Sequence, residues 1–518
     1  MFLTTGVFAD NTPVVPIFAN ETATSGVVSR YTGEWQYMVG GGLATFDCND
    51  DGLPEMLLAG GEKPANFYRN TSLRGGALTF KPEISGLEID RVTGAYALDI
   101  DSDGIKDVVL LRVGENLLLR GKGNCQFERA NEAWNFAGGD AWSTAFAATF
   151  EKAAKWPTLA IGNYIDRREE LSPWGSCTDN WLHRPNANQL GFAKPLALKP
   201  SYCPLSMLFT DWNRSGTPSL RLSNDREYYE GGQEQMWRLE PDKVPTLYTE
   251  KEGWKFLRIW GMGIAGYDID FDNYPDYFLT SMADHKLQTL ASIQPDGQSK
   301  ATFKDIAFAK GVTVHRPFMG DDLKPSTGWH AQFEDVNNDG RIDLFVAKGN
   351  VWEMQDFAMQ DPNNLLVQGA DGKFIEMADK AGVASTLQAR GASLADFNLD
   401  GLIDLVVVNR NGPAEIWRNT TKGGHWIEIE VKQDGPNRDA IGSWIEVKLA
   451  DKVMRREMTV GGGHVSGGLG WWHFGLGDQT STEIRVIWPD GETGPWQNLK
   501  TDGFYVLERG NAARIWVK

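Results

Sequence analysis

Five short acidic segments contain the residue types and the spacing that could bind a metal ion. Counted from its first aspartate, each has Asp at positions 1 and 5, Asp or Asn at position 3, Gly or Asn at position 6 and Asp or Glu at position 9. A tight loop points alternate side chains to one side, and Ca²⁺ prefers roughly six to eight oxygen ligands. We therefore predict about five bound calcium ions, one for each segment. The predicted calcium ligands are Asp47, Asn49, Asp51, Glu55, Asp99, Asp101, Asp103, Asp107, Asp268, Asp270, Asp272, Asp276, Asp335, Asn337, Asp339, Asp343, Asp396, Asn398, Asp400 and Asp404.

A sixth copy of the pattern is incomplete. It keeps Asp211, Asn213 and Gly216, but Ser215 and Ser219 stand where the other copies have acids, so we do not expect a full site there. The segments are not EF-hands, because that loop needs a glutamate at its twelfth position and a helix on each side. Here the twelfth position is Leu or Val within a run of strand-forming residues.

The spacing of the acidic segments indicates a repeated all-β unit. Consecutive copies begin 52 to 67 residues apart, except for a gap of about twice that length between Asp99 and Asp211. Within this gap, residues 145–164 keep the strand pattern without the acids, which makes seven units. Such a repeat of short strands and tight turns is typical of a β-propeller. We predict an all-β fold with an N-terminal extension over residues 1–24, a seven-bladed propeller over 25–422 and a small β-sandwich-like domain over 423–518.

The acidic segments resemble FG-GAP/VCBS repeats, and the carboxyl-terminal region resembles an ASPIC/UnbV domain. The second resemblance is carried by four motifs: NRDAIGSWIEV from Asn437, VGGGHVSGG from Val460, HFGLG from His473 and IRVIWPDG from Ile484. Together they resemble the cartilage-acidic-protein-like family of secreted proteins. The resemblance implies an extracytoplasmic location, periplasmic or secreted. Since no basic residue precedes Arg30, we expect that the leader peptide is absent from this chain.

Composition excludes some classes of partner. The 518 residues have a formal net charge of −18, which argues against binding to nucleic acid. No apolar run is long enough to insert into a membrane. The four cysteines, Cys48, Cys125, Cys177 and Cys203, permit two disulfides in three possible pairings, with buried free thiols as the alternative. The export implied by the resemblance favours disulfides.

Polar and aromatic residues follow the strand ends opposite the acidic loops, and these ends meet near the centre of a propeller. A polar ligand could bind in such a funnel. The predicted ligand-binding residues are Asn224, Asp284, Trp329, Asn350, Arg390 and Arg410. Four residues on the same side could do catalytic chemistry if either histidine paired with Asp225 or Asp284 and served as a general base. These predicted catalytic residues are Asp225, Arg226, His285 and His330.

Two functions remain open at this point. The first is a secreted calcium-binding module that binds a glycan, a protein or a small polar ligand. The alternative is an extracytoplasmic lyase, hydrolase or dehydratase with its site at the propeller mouth. The segment from Tyr228 to Trp237 departs from the repeat and is a candidate recognition loop. The glycine-rich motif from Val460 lacks the lysine and the following helix of a phosphate-binding loop.

Overall fold

The computed structural model describes residues 13–169, 175–226, 231–291 and 299–517. The first strand of the chain, β1, spans Phe18–Asn20. It is followed by three sheets of four strands, each strand antiparallel to its neighbours. The first contains β2 (Leu43–Phe46), β3 (Glu55–Leu58), β4 (Asn66–Asn70) and β5 (Phe80–Pro82). The second contains β6 (Val92–Leu98), β7 (Asp107–Gly114), β8 (Leu117–Gly121) and β9 (Phe127–Arg129). The third contains β10 (Ala141–Thr149), β11 (Thr158–Asn163), β12 (Asn180–His183) and β13 (Leu196–Leu198).

Four further sheets continue the same order along the chain. The fourth contains β14 (Pro204–Thr210), β15 (Ser219–Asn224), β16 (Gln235–Arg238) and β17 (Thr246–Leu247). The fifth contains β18 (Gly261–Tyr267), β19 (Asp276–Ser281), β20 (Lys286–Leu290) and β21 (Phe303–Asp305), followed by helix α1 (Ala307–Lys310). The sixth contains β22 (Gly328–Glu334), β23 (Asp343–Lys348), β24 (Asn364–Gln368) and β25 (Phe374–Glu376), followed by helix α2 (Ala378–Ala381). The seventh contains β26 (Gln388–Ala395), β27 (Asp404–Arg410) and β28 (Glu415–Asn419), and β1 is its fourth strand.

The innermost strands place these sheets in a closed ring. Strand β2 packs against β6, β6 against β10, and so on through β14, β18 and β22 to β26, which packs against β2. The predicted all-β propeller fold is thus confirmed. A short antiparallel pairing of β7 with β10 joins the second and third groups of strands into one sheet. A ring of this kind leaves few exposed sheet edges. Within the described residues, no helix is long and apolar enough to cross a membrane.

One predicted boundary is corrected. Residues 18–20 lie in the segment predicted as an N-terminal extension, but β1 pairs antiparallel with β28, with Phe18 opposite Asn419. Strand β1 therefore belongs to the ring, where it completes the seventh sheet. A strand of three residues is too short to show the alternation of apolar and polar side chains on which sequence recognition depends. Residues 1–12 of the predicted extension lie outside the described part of the chain.

The carboxyl-terminal unit consists of two four-stranded sheets and two short additional strands. One sheet has the order β34 (Trp472–Gly477), β29 (His425–Lys432), β37 (Gly503–Glu508) and β38 (Arg514–Ile515). The other has the order β31 (Lys452–Glu457), β30 (Trp444–Leu449), β35 (Ser481–Ile487) and β36 (Gln497–Lys500). Apolar residues of both sheets, among them Ile427, Ile445 and Phe474, form one buried cluster between them. The additional strands β32 (Val460–Gly461) and β33 (Gly467–Leu469) pair with the ring.

The glycine-rich segment Val460–Gly468, which we call the central loop, fills the centre of the ring. Gly461 pairs with Ala147 of β10, and Gly467 pairs with Ala44 of β2. Close approach requires glycines on both sides of this contact. A Cβ atom on Gly42 would lie 1.8 Å from the carbonyl oxygen of Val465, so no larger residue fits there.

Two disulfides resolve the open pairing of the cysteines. Cys48 is bonded to Cys125, which joins the first acidic loop to the turn between β8 and β9 of the second sheet. Cys177 is bonded to Cys203, which joins the third sheet to the start of the fourth.

Candidate functional site

Each acidic loop joins the innermost strand of a sheet to its second strand, so the loops lie at the same end of the ring. In the sixth sheet, Asp335 accepts hydrogen bonds from the backbone N–H groups of Asp339 at 3.2 Å and Gly340 at 2.7 Å. Asp343 accepts one from the N–H of Val336 at 3.1 Å. The aspartates at positions 1 and 9 thus hold the loop closed through hydrogen bonds to its own backbone.

The other four complete loops repeat this arrangement. In each, the aspartate at position 1 accepts a hydrogen bond from the N–H of position 6, and the acid at position 9 accepts one from the N–H of position 2. The first kind of bond joins Gly52 to Asp47, Gly104 to Asp99, Asn273 to Asp268 and Gly401 to Asp396, at 2.6, 2.9, 3.2 and 2.7 Å. The second kind joins Cys48 to Glu55, Ile100 to Asp107, Ile269 to Asp276 and Phe397 to Asp404.

The carboxylates of a loop converge. Oxygen atoms of Asp99, Asp101 and Asp107 all lie within 4.8 Å of one another, and Asp268, Asp270 and Asp276 form a matching group. Burial, with neighbouring carboxylates adding to it, raises the pKa of Asp99 and of Asp268 to about 7. Crowded carboxylates repel each other unless a cation lies between them. A set of oxygen ligands of this kind fits a hard divalent cation such as Ca²⁺.

The first loop also touches a disulfide. Cys48 and Cys125 lie close enough to Glu55 to form a metal-binding group by distance alone. Because both cysteines are in the disulfide, neither offers a thiolate ligand. The disulfide packs beside Glu55, whose pKa burial raises to about 8.

The incomplete loop keeps the fold of the others. Asp211 accepts hydrogen bonds from the N–H groups of Ser215 and Gly216, each at 2.8 Å. An arginine of this loop, Arg214, lies over the ring of Trp444 at 4.0 Å and 3.6 Å from a carboxylate oxygen of Glu446. A positively charged side chain of the protein thus lies beside the loop that lacks acids at positions 5 and 9.

The carboxyl-terminal unit lies directly on the loop end of the ring. Arg456 forms a double hydrogen bond with Glu334, the last residue of β22. Lys106 of the second loop forms an ion pair with Asp439. His473 and Asn338 are joined by a hydrogen bond of 2.6 Å between Nε2 and Oδ1. The two units are therefore in contact across the predicted metal loops.

Between the two units lies a cavity of about 840 Å³. Its walls come from the inner strands of the ring, several acidic loops and the carboxyl-terminal unit. The lining includes Asp47, Asp268, Glu334, Asp396, Arg455, Arg456, Trp471 and Trp472. Sequence reasoning missed this cavity. The available signal was the run of charged residues from Arg455 to Glu457 beside the central loop, together with the tryptophan pair after it.

The predicted ligand funnel is filled by packed side chains. Arg390 is fully buried, with its guanidinium carbon 4.0 Å from the centre of the Trp329 ring. Its nitrogens donate to the backbone carbonyls of Met38, Asn350 and Val351 at 2.8, 3.0 and 2.8 Å. These predicted residues do meet at the end of the ring opposite the loops, as expected from the topology. They are buried there, because the segments that contain Met38 and Val351 close over them.

The remaining residues of the predicted funnel are also engaged with the protein itself. Arg410 lies 4.2 Å from the ring of Trp352. The side-chain nitrogen of Asn350 donates to the carbonyl of Met354 at 3.0 Å. That of Asn224 donates to the carbonyl of Gln233 at 2.7 Å. Part of the candidate recognition loop from Tyr228 to Trp237 lies outside the described residues, which resume at Gly231.

The predicted pairing of His285 or His330 with Asp225 or Asp284 is not what the structure shows. Asp225 accepts a hydrogen bond from the hydroxyl of Tyr164, beside Arg226, and Asp284 is bonded to His315 at 2.5 Å. His285 instead accepts a hydrogen bond from the N–H of Ser281 at 3.2 Å. The difference arises because the side chain of His285 lies against the end of the preceding strand, β19, where burial lowers its pKa to about 3.

His330 lies apart from the other predicted catalytic residues. The pairing of β22 shifts register between Gly328 and Ala331, and His330 within this bulge turns toward the centre of the ring. Its Nδ1 accepts a hydrogen bond from the N–H of His464 at 3.1 Å. Burial lowers the pKa of His330 to about 4. Of the predicted ligand-binding and catalytic residues, all within the described ranges, His330 is the one that lines the cavity.

Two families match parts of the chain. ASPIC and UnbV matches residues 433–514, and FG-GAP-like repeat matches residues 47–110 and 335–407. Among curated proteins, cartilage acidic protein 1 of Homo sapiens is 42% identical over 64 residues, which are 12% of this chain and 10% of that protein. The Mus musculus protein is 41% identical over 122 residues, which are 23% of this chain and 16% of that protein. The matched stretch thus spans about a sixth or less of each relative's length.

Two lectins are among the solved structures that match this chain. A lectin from Burkholderia pseudomallei has a TM-score of 0.43 and 9% identity, with 75% of this chain and 98% of the lectin covered. A lectin from Agrocybe aegerita, described as recognising non-reducing terminal N-acetylglucosamine, has a TM-score of 0.37 and 12% identity, with 89% and 94% covered.

Proposed function

We propose that this chain, which carries FG-GAP-like repeats followed by an ASPIC/UnbV domain, is an extracytoplasmic calcium-binding β-propeller. It binds a polar ligand in the space between the ring and the carboxyl-terminal unit. The observation on which this rests is the cavity of about 840 Å³ between the acidic loops and the carboxyl-terminal unit. A cavity of this size is in the range of small-molecule sites, roughly 300 to 1,000 Å³. The two disulfides support an oxidising compartment.

Calcium is the cation that the loops fit best. Their side chains offer carboxylate and amide oxygens, which hard cations prefer, and no thiolate is free within the described residues. In the sixth sheet, burial and the neighbouring Asp335 and Asp339 raise the pKa of Asp343 well above its usual value. A bound divalent ion would offset this repulsion and hold the loop closed. We expect about five ions, one for each complete loop.

An oligosaccharide is the ligand class that we favour. Trp471 and Trp472 line the cavity and are half-buried, which suits stacking against a sugar ring. Arg455, Arg456 and Glu334 place hydrogen-bonding groups of both signs on the same walls. A flat apolar face beside directional polar groups matches the amphipathic surface of a sugar. A protein segment or a small polar molecule is the alternative occupant.

One observation bears on the catalytic alternative. His330 lines the cavity, and within the described residues its Nε2 is buried without a hydrogen-bond partner. An efficient general base has a pKa near the working pH. The pKa of His330 is about 4, so the imidazole is neutral but weakly basic near pH 7. Binding is therefore favoured over acid–base catalysis at this residue.

Titration with oligosaccharides tests the proposal. Calcium-loaded protein is titrated with a panel of neutral and acidic oligosaccharides while tryptophan fluorescence and heat release are recorded. We expect saturable binding by at least one class, and Trp472→Ala weakens it about tenfold or more. The matched control is Trp496→Ala, since Trp496 lies against Lys448 and Arg485 within the carboxyl-terminal unit. Absence of saturable binding across the panel would contradict a glycan site.

A further inference from the structure

We propose that calcium in the acidic loops controls the docking of the carboxyl-terminal unit, and thereby controls whether the ligand cavity exists. The inference rests on the proposed calcium sites and adds a regulation of the proposed ligand site. The residue at position 4 of the acidic loops connects them to this docking.

The residue at position 4 has a left-handed backbone in every loop. Its φ angle is +59° at Asp50 and Ser102, and between +55° and +64° at the other positions. The others are Arg214, Phe271, Asn338 and Leu399. No glycine occupies the position, although this conformation costs other residues of order 1 kcal/mol or more. The closed loop must therefore hold each of these residues in place.

In the loops of the second and sixth sheets, the residue at position 4 also hydrogen-bonds to the carboxyl-terminal unit. The carbonyl of Ser102 accepts a hydrogen bond from Nε of Arg438 at 2.8 Å, and its hydroxyl accepts one from the N–H of Asn437 at 3.0 Å. The carbonyl of Asn338 accepts a hydrogen bond from the N–H of Gly477 at 3.0 Å. The loops thus present backbone groups that only the closed conformation places correctly.

Apolar residues at position 4 make the same kind of contact. Phe271 packs against the core cluster of the carboxyl-terminal unit, and Leu399 is buried in a cluster with Trp426 and Phe504. The acids at positions 1 and 9 instead accept hydrogen bonds from backbone N–H groups of the loop itself, as Asp335 and Asp343 do. A calcium ion would therefore keep the loop closed, and the residue at position 4 would then be held in contact with the carboxyl-terminal unit.

The incomplete loop supports this division of roles. It has lost two of its acids, yet Arg214 at its position 4 still contacts the carboxyl-terminal unit through Trp444. The docking contact has thus been kept where the predicted metal ligands have not. In the loops of the second and fifth sheets, removal of the cation would leave the converging carboxylates facing one another. Their repulsion would open the loops and move position 4 away from its partner.

Undocking would have two consequences. The central loop would lose its place in the ring, where the N–H groups of Gly462 and Gly463 donate to the carbonyls of Met207 and Ile264 at 2.6 and 2.7 Å. The cavity would also lose one of its walls, because the carboxyl-terminal unit supplies Arg456, Trp471 and Trp472. Ligand binding would then depend on calcium although no ion needs to touch the ligand.

Hydrogen exchange of the central loop tests the coupling in the full chain. Exchange of the peptide containing Gly462 and Gly463 is compared in calcium-loaded and chelated protein, with bound calcium measured on the same samples. We expect exchange to become about tenfold faster or more after chelation. If calcium binds and exchange of this peptide does not change, the coupling is wrong while the calcium sites stand. If no calcium binds, the proposed calcium sites are themselves wrong.

Reciprocity supplies a second test. If calcium favours docking, a weaker docking contact must lower calcium affinity by the same factor. The side chain of Arg438 is exposed, and Arg438→Ala removes its hydrogen bond to the carbonyl of Ser102. We expect the calcium affinity to fall about fivefold. Arg509→Ala is the matched control, because Arg509 pairs with Asp490 and Glu492 of its own unit. Equal calcium affinity in the two variants would overturn the inference.

Discussion

The imidazole of His464 lies 5.0 Å from the ring of Trp329, so that one fully buried side chain from each unit meets the other at the centre of the ring. The guanidinium carbon of Arg390 lies 4.0 Å from the centre of the same ring. These three side chains are packed together where a propeller can have an open channel. The centre of this protein is therefore packed core, and the space for a ligand lies beside it, between the units.

Arg390 is expected to stabilise the fold without binding a ligand. Arg390→Met leaves buried carbonyl groups of Met38, Asn350 and Val351 without their donor. Buried acceptors that lose their partners cost about 1–3 kcal/mol each, so we expect a loss of at least about 2 kcal/mol in the free energy of unfolding. Urea denaturation measures it. If Arg390→Met instead weakened oligosaccharide binding and left the free energy of unfolding unchanged, Arg390 would belong to the ligand site as first predicted.

His330 is expected to make stability depend on pH. Burial holds its pKa near 4, below the unfolded value of about 6.5. Between these values the unfolded chain takes up a proton that the folded chain does not, so this contribution to stability is present above about pH 6.5 and is lost as the pH falls toward 4.

The variant His330→Gln should therefore lose less stability than the wild type between pH 7.5 and pH 5. Denaturation at both pH values measures the difference, which we expect to be of order 1–2 kcal/mol. His425→Gln is the control, since His425 is exposed and pairs with Asp502 at the surface. If the free energy of unfolding had the same pH dependence in wild type and His330→Gln, the lowered pKa of His330 would be contradicted.

The features that repeat along the sequence were predictable. The acids of the five loops recur at fixed positions, so each copy supports the others, and the all-β fold followed from their spacing. The ends of strands could also be placed, since residues such as Trp329 and Arg390 do meet opposite the loops. Their burial could not be predicted, because it depends on carbonyl groups of Met38 and Val351 from distant parts of the chain.

The cavity could not be predicted for a similar reason. It exists because two units that are separate in sequence lie against each other, as the contact of Arg456 with Glu334 shows. No repeat in the sequence relates Arg456 to Glu334, and the two residues are more than a hundred positions apart. The glycine-rich motif from Val460 was visible as an unusual segment, but sequence pattern alone could not show that its glycines fit between inner strands.

The two disulfides are expected to contribute unequally. In the chain-entropy account a crosslink stabilises more when it closes a longer loop, and the sequence separations are 77 for Cys48–Cys125 and 26 for Cys177–Cys203. We expect the double variant Cys48→Ser/Cys125→Ser to lose about 4 kcal/mol of unfolding free energy, and the variant of the other pair about 1 kcal/mol less. Denaturant unfolding of both variants provides the comparison, and a larger loss from the shorter crosslink would contradict this account.

The number of bound calcium ions distinguishes the complete loops from the incomplete one. Asp343→Asn removes a charge from position 9 of the sixth-sheet loop, where Asp343 holds the N–H of Val336 and faces Asp335. We expect one ion fewer per chain and a lower melting temperature in calcium. Asp211→Asn changes the corresponding first residue of the incomplete loop and should leave the number of ions unchanged, because Arg214 already supplies positive charge there.

Metal analysis of the purified wild type and both variants measures this difference. Asp211→Asn also reports whether the incomplete loop acts through docking alone. Its carboxylate holds the N–H groups of Ser215 and Gly216, so the variant should loosen Arg214 and raise exchange in the central loop without loss of calcium. A sixth ion in the wild type that disappears in Asp211→Asn would show that the loop binds metal despite its serines. Five ions in both proteins, with faster exchange in the variant, would separate docking from metal binding in a single loop.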